Sequence, residues 1–390
     1  MASNPLIRSL CRGWRQLASR RMYLTAILIV PLLFSFYFID LMNEGLPLKV
    51  PVSVVDLDHS QLSRTVTRNL GASELIDIQY KDLSYHDALR RVQSGETFGF
   101  FLIPESFQSD AMAGKDPTLT YYSNMTVFVP GTLSFKGFKT TAVTTTAGLV
   151  QTTLTSLGAT PGQAMALISP VTYYTHPLGN PWTNYTIYLG NSFLPCLLAL
   201  MVLLVTCFSV CEEIKRGTSL EAMRVAGGNI YVALFGKLAP QTLLFTVVGF
   251  FMQAYLFGFE HFPLNCPLWH LLLAMLLLVI GCQSFAVVMC SVVPNLRLSL
   301  SLCSLIGILS FSVAGFSFPV DHMYGSIGIF AYLLPIRWYF LIYIDQALNG
   351  IDLYYSRLYY VWLLLFPLVA MVALRIGRLR KRYINPIYVP

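Results

Sequence analysis

The densest group of acids and bases in the chain lies in a short polar stretch, residues 212–224, between two long apolar runs. Thr218 followed by Glu221 matches a capping box, and Gly227 can end a helix in the left-handed conformation. The stretch is therefore predicted to form a stub of about two helical turns. Such a stub is either a plain connection between two membrane spans or a knob that another protein contacts. In the second case the contact residues are Glu212, Glu213, Gly217, Thr218, Glu221 and Arg224.

A second acidic group, Asp56, Asp58 and His59, follows a predicted strand, where catalytic sites often form. Asp and Ser at the start of a helix more often accept hydrogen bonds from its free N–H groups. We therefore interpret this turn as a helix cap rather than as a catalytic site.

Motifs for nucleotide binding and hydrolysis are absent from the sequence. It has no Gly-x-x-x-x-Gly-Lys-[Ser/Thr] loop, no Gly-x-Ser-x-Gly and no His-Glu-x-x-His. Its eight cysteines lack Cys-x-x-Cys spacing, and most lie in apolar runs, where a single Cys behaves as a small hydrophobe. We therefore predict that the chain is not an enzyme, has no metal or cofactor of its own, and depends on an outside source of energy.

The composition is that of a membrane protein. Of 390 residues, 55% are apolar and only 12% are charged, whereas about a quarter of the residues in a soluble domain are charged. The formal net charge is +7, and basic residues cluster near both ends beside apolar runs. Such clusters are topology signals and contacts for anionic lipids. Binding to nucleic acid is not expected.

Residues 1–21 are predicted to form an amphipathic helix on the cytosolic face of the membrane. Asn4 followed by Pro5 is a suitable helix start. An apolar stripe that includes Trp14 lies opposite the basic residues Arg8, Arg12 and Arg15. A cleavable signal is less consistent with this segment, because the following apolar run is long and has no small-x-small cleavage site.

The apolar runs predict a polytopic α-helical membrane protein with six transmembrane helices, each near the roughly 20 residues that a bilayer requires. Helix 1 spans 22–42, helix 2 spans 188–211, helices 3 to 5 lie within 229–320, and helix 6 spans 358–377. Lys237 is expected to snorkel to the membrane surface. The positive-inside rule places both termini, the coupling helix at 212–228 and the basic tail at 378–390 in the cytosol.

The polar region between the first two spans, residues 43–187, is predicted to be an extracytoplasmic α/β domain. Strands are expected near 51–56, 76–80, 97–103 and 119–122, and helices alternate with them.

Residues 321–357 are predicted to form a re-entrant or interfacial pair of helices. Met323 to Ile336 is uncharged but too short to cross, and the segment is expected to break near Pro335. Arg337 would then lie at membrane depth, where a charge is functional by default. The alternative is a pairing with Asp345 or with a lipid phosphate.

Several short sequence motifs, which occur in the family's order along nearly the whole chain, resemble those of bacterial ABC-2-type transporter permeases. These permeases have a large extracytoplasmic domain after the first span. They are Val52-Ser-Val-Val-Asp-Leu-Asp-His-Ser60 with Gly99-Phe-Phe-Leu-Ile-Pro104, Leu178-Gly-Asn-Pro181 to Tyr185, Glu212 to Glu221, and Ala314-Gly-Phe-Ser-Phe-Pro319 with Leu334-Pro335 and Gly350. Two departures are Gly227-Gly228, where the family usually has Pro, and Ile336-Arg337, which replaces a Leu-Thr-like pair.

The resemblance implies a permease subunit of an exporter in the bacterial inner membrane. Its partners would be two cytosolic ATPase subunits that bind ATP and Mg²⁺, a second permease chain, identical or related, membrane lipids, and, as a further candidate, a periplasmic adaptor. Closure of the ATPases would press on residues 212–226 and on the N-terminal helix, and Glu212, Glu213 and Glu221 would meet basic or polar groups of the ATPase. The alternative is that these acids only cap helices.

The substrate is expected to be amphiphilic, lipid-like or drug-like, because the spans offer few polar contacts. Candidates for the translocation path or for a contact between permeases are small, aromatic or charged. They are Phe193, Gly307, Phe311, Gly315, Phe316 and Arg337.

Two other function classes compete with a permease. One is a receptor that senses a ligand through residues 43–187, and the other is an intramembrane enzyme that modifies lipids and uses Asp321, His322 and Asp345. Co-purification separates the three classes, since only an exporter requires an ATPase partner.

Overall fold

The computed structural model describes residues 4–42, 45–113, 115, 117–168, 179–180 and 184–387. Leu178 and Pro181 of the resemblance motifs and the end of the basic tail lie outside these residues. The chain divides into two units, Met1–Gly45 with His176–Pro390, and Leu46–Thr175.

Helices dominate the first unit, and a small sheet organises the second. The helices in chain order are α1 (Pro5–Ser19), α2 (Arg21–Leu41), α3 (Gln61–Gly71), α4 (Tyr85–Ser94), α5 (Phe107–Met112), α6 (Phe128–Ser156), α7 (Pro161–Ile168), α8 (Tyr185–Lys215), α9 (Ser219–Val225), α10 (Ile230–Phe259), α11 (Leu268–Val292), α12 (Leu296–Val313), α13 (Gly325–Tyr332), α14 (Pro335–Leu348), α15 (Leu353–Ile376) and α16 (Leu379–Ile384). The strands are β1 (Val50–Asp56), β2 (Ile76–Asp82), β3 (Gly99–Ile103) and β4 (Thr120–Ser123).

Six helices in the described part of the chain are long and apolar enough to cross a membrane. They are α2, α8, α10, α11, α12 and α15. The prediction of a polytopic α-helical membrane protein is therefore confirmed. The side of the membrane on which each terminus lies remains a prediction.

Asparagine caps explain where several of these helices begin. An Asn side chain at the N-cap accepts a hydrogen bond from a backbone N–H that has no partner within the helix. The acceptor–donor pairs are Asn4 with Leu6 (3.1 Å), Asn184 with Thr186 (2.7 Å), Asn229 with Tyr231 (2.9 Å) and Asn295 with Arg297 (3.0 Å). An asparagine cap therefore marks the start of α1, α8, α10 and α12.

The helices α13 and α14 form a bent pair, and their axes differ in direction by 81°. Pro335 begins α14, where its missing N–H leaves no hydrogen bond unmade. α14 is mostly buried, and Trp338 stacks on Trp362 of α15 with ring centroids 5.0 Å apart. The predicted break near Pro335 is present. The pair is either one broken span or a re-entrant loop, and the re-entrant interpretation stays a prediction.

The second unit contains a four-stranded sheet with strand order β2-β1-β3-β4. β1 is parallel to β2 and β3, and β4 is antiparallel to β3. One cluster of buried apolar side chains includes Val54 and Leu70, and a second includes Val55 and Ala88, so successive residues of β1 serve opposite faces. The predicted alternation of strands and helices is confirmed. The position of this unit outside the membrane remains a prediction.

The acidic turn after β1 is a structural cap. Asp56 Oδ1 accepts from the backbone N–H groups of Asp58 (3.1 Å) and His59 (3.0 Å), and its Oδ2 accepts from the Ser63 hydroxyl (2.7 Å). Asp58 accepts from the backbone N–H of Gln108 at 3.1 Å. The carboxylates therefore hold the turn, which agrees with the capping interpretation of Asp56, Asp58 and His59.

Helix α1 packs directly on the start of α10. Its buried residues are Ser9, Gly13 and Leu17, spaced one turn apart, and a Cβ on Gly13 would collide with the carbonyl oxygen of Gly236. Trp14 is 42% exposed. The helix is therefore amphipathic as predicted, but Ser9, Gly13 and Leu17 contact protein, whereas Leu6, Ile7 and Trp14 of the apolar stripe stay exposed.

The substitution Gly13→Val tests this crossing. The added side chain has no space against Gly236, so we expect the chain to lose about 1–3 kcal/mol of stability through overpacking, seen as a lower thermal unfolding midpoint in detergent. Gly258→Ala is the matched control, because a Cβ at Gly258 would meet nothing within 4 Å. Equal midpoints for the two variants would contradict the close crossing of α1 and α10.

Candidate functional site

Two adjacent glutamates near the end of α8 are buried. Glu212 is 5% exposed and Glu213 is 2% exposed. Helix α8 continues to Lys215, past the predicted end at residue 211, so both glutamates belong to the helix and not to the polar turn. A carboxylate at such a position is stable only when bases or hydrogen-bond donors surround it.

Glu213 joins three other helices to α8. Arg12 of α1 lies 2.6 Å from its Oε1, and Lys237 of α10 lies 2.8 Å from the same atom. The hydroxyl of Tyr383 in α16 donates to Oε2 at 3.1 Å. Lys237 is 4% exposed and also contacts Gln16 Oε1 of α1 at 3.3 Å.

Glu212 binds a separate set of donors. Arg20, between α1 and α2, pairs with its Oε2, and the hydroxyl of Tyr23 in α2 donates to the same oxygen at 3.1 Å. Arg216, the residue that follows the end of α8, lies 2.8 Å from Oε1. The two acids therefore bind residues from the beginning of the chain, although about 200 residues separate Arg12 and Arg20 from them.

We call this set of ionised side chains the charge cluster. Its members are Arg12, Arg20, Glu212, Glu213, Arg216 and Lys237. Breaking a buried ion pair by removal of one partner costs about 3–5 kcal/mol, because the other charge is left uncompensated. The cluster therefore resists any motion that separates the ends of α1, α8 and α10.

The placement of Glu212 and Glu213 corrects the sequence prediction. They were expected to meet basic or polar groups of an ATPase, but their carboxylates face the interior of this chain. Lys237 was expected to snorkel to the surface, and this is wrong because it pairs with Glu213 in the interior. Any role of the two glutamates in coupling must act through the helices that they join.

The short helix α9 differs from its prediction at its start. Thr218 has helical dihedral angles (φ −80°, ψ −3°) and its side chain makes no capping hydrogen bond, so no capping box forms. Ala222 and Met223 are buried. Gly227 has φ +69°, which confirms the left-handed helix end.

Residues 217–224 of the stub also include exposed side chains, in contrast to the buried Glu212 and Glu213. Leu220 is 37% exposed, the Glu221 side chain is 68% exposed, and Gly217 and Arg224 are exposed. Arg12 reaches back to this surface, with Nη2 3.3 Å from the carbonyl oxygen of Thr218 and Nε 3.8 Å from Glu221. Of the predicted contact residues, Gly217, Glu221 and Arg224 are the exposed ones, so another protein can reach them. Arg8, Trp14 and Arg15 are exposed on α1.

The predicted path residues lie at two places in the first unit. Phe193, Phe311 and Phe316 form one aromatic cluster, with centroid distances of 4.3 Å for Phe193–Phe311 and 5.9 Å for Phe193–Phe316. A Cβ on Gly307 would collide with Leu200 of α8. Gly307 therefore packs against α8 of this chain, and its role in the translocation path or in a contact with a second permease stays a prediction.

Arg337 is buried beside the end of α12. Its Nη1 donates to the carbonyl oxygen of Ala314 at 2.9 Å, and its guanidinium lies 5.6 Å from the centre of the Tyr332 ring. Gly315 has φ +99°, and a Cβ there would collide with Arg337. In the part of the chain that the structure describes, no ion pair joins Arg337 to Asp345, which instead accepts from Ser356 at 3.2 Å.

A groove of about 820 Å³ runs along α2, α8 and α12. Most of its lining is apolar, and Ser301 and Ser304 of α12 add hydroxyl groups. The groove side of α12 is exposed, since Leu305 is 54% exposed and Ile308 is 59% exposed. An apolar groove with a few hydroxyls suits either lipid tails or another membrane helix.

The family model described as ABC-2 family transporter protein matches residues 21–376. This range includes all six span candidates and the charge-cluster residues from α8 and α10, whereas α1 lies before it. No curated protein matches the chain.

The substitution Glu213→Gln tests the charge cluster. It keeps the shape of the side chain but leaves Arg12 and Lys237 without their shared anion, so we expect a loss of about 3–5 kcal/mol. The measurement is the thermal unfolding midpoint of the purified chain in detergent. Glu221→Gln is the matched control, because the exposed Glu221 should change stability by less than about 1 kcal/mol.

A double substitution separates the ionic effect from a packing defect. Adding Lys237→Met to Glu213→Gln removes one uncompensated charge, so stability should partly recover. If Lys237→Met lowers the midpoint equally with and without Glu213→Gln, the two side chains are not coupled and the ionic interpretation is wrong.

Proposed function

The chain belongs to the ABC-2 family of transporter proteins, and on this premise we propose that it is the permease subunit of an exporter. The proposed exporter moves an amphiphilic, lipid-like or drug-like substrate out across the bacterial inner membrane. Separate ATPase subunits bind ATP and Mg²⁺ and supply the energy. The observation that carries the proposal is the charge cluster, which ties an exposed cytosolic stub to the ends of several spans.

The stub α9 is the proposed site on which an ATPase subunit pushes. It presents Leu220, Glu221 and Arg224 to solvent, and this mixture of apolar and charged groups suits a protein contact. Its other face holds the buried Ala222 and Met223. A force on the stub therefore reaches the core of the first unit through packed side chains.

The charge cluster gives this force a defined route. Glu213 links α8 to α1, α10 and α16, and Glu212 links α8 to Arg20 and to Tyr23 of α2. Because separating buried ion pairs is costly, these helix ends move together. In this mechanism Glu212 and Glu213 are positioning residues, and Glu221 and Arg224 make the contact with the ATPase.

The proposed topology places α9, both termini and Arg297 in the cytosol. Basic residues accumulate at these positions, as the positive-inside rule requires of cytosolic segments. The unit Leu46–Thr175, which follows α2 and precedes α8 along the chain, then lies outside the cytosol. The bent pair α13–α14 lies toward the same side and enters the membrane without crossing it.

The groove along α2, α8 and α12 is the proposed face for a second permease chain, identical or related. Only 22% of the α12 span is buried within this chain, against 67% of α8. The family resemblance implies two permeases, and a second copy against this face would enclose the groove. The enclosed space, with its apolar walls and the hydroxyls of Ser301 and Ser304, is the proposed substrate path.

The double charge reversal Glu221→Arg with Arg224→Glu tests the ATPase contact. Reversed charges at an interface repel the partner, so we expect the ATPase that copurifies with the wild-type chain to fall by about tenfold, or about 1.4 kcal/mol. Its amount is measured by mass spectrometry and by ATP hydrolysis in the complex.

Arg90→Glu is the matched control for this experiment, because Arg90 is exposed in the other unit, which we place outside the cytosol. It should leave the amount of ATPase unchanged. Undiminished ATPase in the double variant, or labelling of α9 from outside intact cells, would contradict the proposed coupling.

Cysteine cross-linking tests the face for the second permease. We expect Leu305→Cys and Ile308→Cys to give disulfide-linked dimers in membranes, because both side chains project into the groove. Leu368→Cys on α15 is the matched control, since Leu368 is 55% exposed but lies away from the groove. Cross-linking that is as efficient at Leu368 as at Leu305 and Ile308 would place the dimer contact elsewhere.

A further inference from the structure

Three thiols converge inside the first unit, close to the charge cluster but outside it. Cys207 and Cys211 lie one turn apart on α8, and Cys290 lies on α11. All are buried, and their sulfur atoms lie within 4.8 Å of one another. The sulfur atoms of Cys211 and Cys290 are 3.5 Å apart. Among the described residues, this is the one group of three or more such side chains close enough to hold a metal ion.

We propose that Cys207, Cys211 and Cys290 form a binding site for a soft, thiol-preferring metal ion, Cu(I) or Zn(II). Metal–sulfur bonds of about 2.3 Å require thiolate sulfurs about 3.8–4.0 Å apart in tetrahedral or trigonal geometry. The 3.5 Å distance between the Cys211 and Cys290 sulfurs, and the upper limit of 4.8 Å on all three sulfur–sulfur distances, are compatible with this range. Sulfur ligands select Cu(I) and Zn(II) over the hard cations Mg²⁺ and Ca²⁺.

A fourth sulfur lies near the site. Cys303 of α12 is buried near Cys207. Three donors suffice for Cu(I), whereas Zn(II) in structural sites takes four. Recruitment of Cys303 would therefore accompany Zn(II) rather than Cu(I), and the number of thiols that the metal protects distinguishes the two ions.

Metal binding at this site releases protons. Each thiol binds the metal as a thiolate and gives one proton to solvent. Cu(I) with three thiolates, or Zn(II) with four, then has a net charge of −2. No oxidant or reductant is consumed.

The consequence of metal binding is a link between α8 and α11 next to Glu212. α11 is otherwise joined to the end of the chain, where the Ser291 carbonyl oxygen accepts from the N–H of Arg378 at 2.8 Å. A metal ion bound to both helices would restrain the inner ends of α8 and α11 in the way that the charge cluster restrains α1, α8 and α10. This role is independent of the transported substrate.

The test measures metal binding to the full chain, purified in detergent under reducing, anaerobic conditions. Cu(I) and Zn(II) are added separately in competition with a chelator, and bound metal is measured by elemental mass spectrometry after desalting. We expect about one metal ion per chain and protection of Cys207, Cys211 and Cys290 from alkylation. Co(II), a spectroscopic substitute for Zn(II), should give sulfur-to-metal charge-transfer absorption.

Paired variants make the assignment specific. Cys290→Ala alone and Cys207→Ala with Cys211→Ala should each lower the bound metal by about tenfold or more. Cys196→Ala with Cys282→Ala is the matched control, because these two cysteines are equally buried on α8 and α11 but belong to no group of three. Size-exclusion profiles identify any variant that fails to fold, and Cys290→Ala provides the second, milder variant.

Each other outcome overturns the proposal. Metal content at buffer background after titration of the wild-type chain would mean that the thiols only fill space. A Cys211–Cys290 disulfide in the freshly purified chain, detected by mass spectrometry without reduction, would mean a redox pair instead. Equal metal loss in the Cys196/Cys282 control would place the metal elsewhere.

Discussion

Burial of two neighbouring carboxylates at the end of α8 constrains the arrangement of every helix around them. A carboxylate removed from water needs bases and donors nearby, and Glu212 and Glu213 obtain them from segments far apart in sequence. Arg12, Arg20 and Lys237 can reach them only if α1 lies along the start of α10. The Gly13–Gly236 crossing makes that approach sterically feasible, because a Cβ at either position would hold the helices apart.

In the part of the chain that the structure describes, hydrogen bonds rather than ion pairs join the opposite ends of the helices. Gln253 of α10 donates to the Tyr339 hydroxyl at 2.6 Å, and Gln346 of α14 contacts His270 of α11 at 2.8 Å. Such bonds cost less to exchange than ion pairs, because no net charge is left uncompensated when they break. One end of the bundle is therefore held by ionic contacts, and the other can rearrange at smaller cost.

Local signals in the sequence predicted the apolar spans, the α/β alternation and the helix start at Asn4. Hydrophobic length and capping act within a few residues, so no tertiary information is needed. The pairing of Glu213 with Lys237 and the cluster around Cys207 depend on which faces of different helices meet, and spacing along one chain does not carry that information. Thr218 shows the converse, since its capping-box spacing is present in the sequence but no cap forms in the structure.

The position of α1 in the sequence determines when it can dock during synthesis. Arg12 leaves the ribosome about 200 residues before its partner Glu213, and Lys237 and Gly236 follow later still. Until α10 has been made, α1 has neither its anion nor its crossing partner, and its exposed apolar stripe with Trp14 can hold it at the lipid surface. α1 is thus translated well before its partners, yet it can reach its final place only after α8 and α10 have been made.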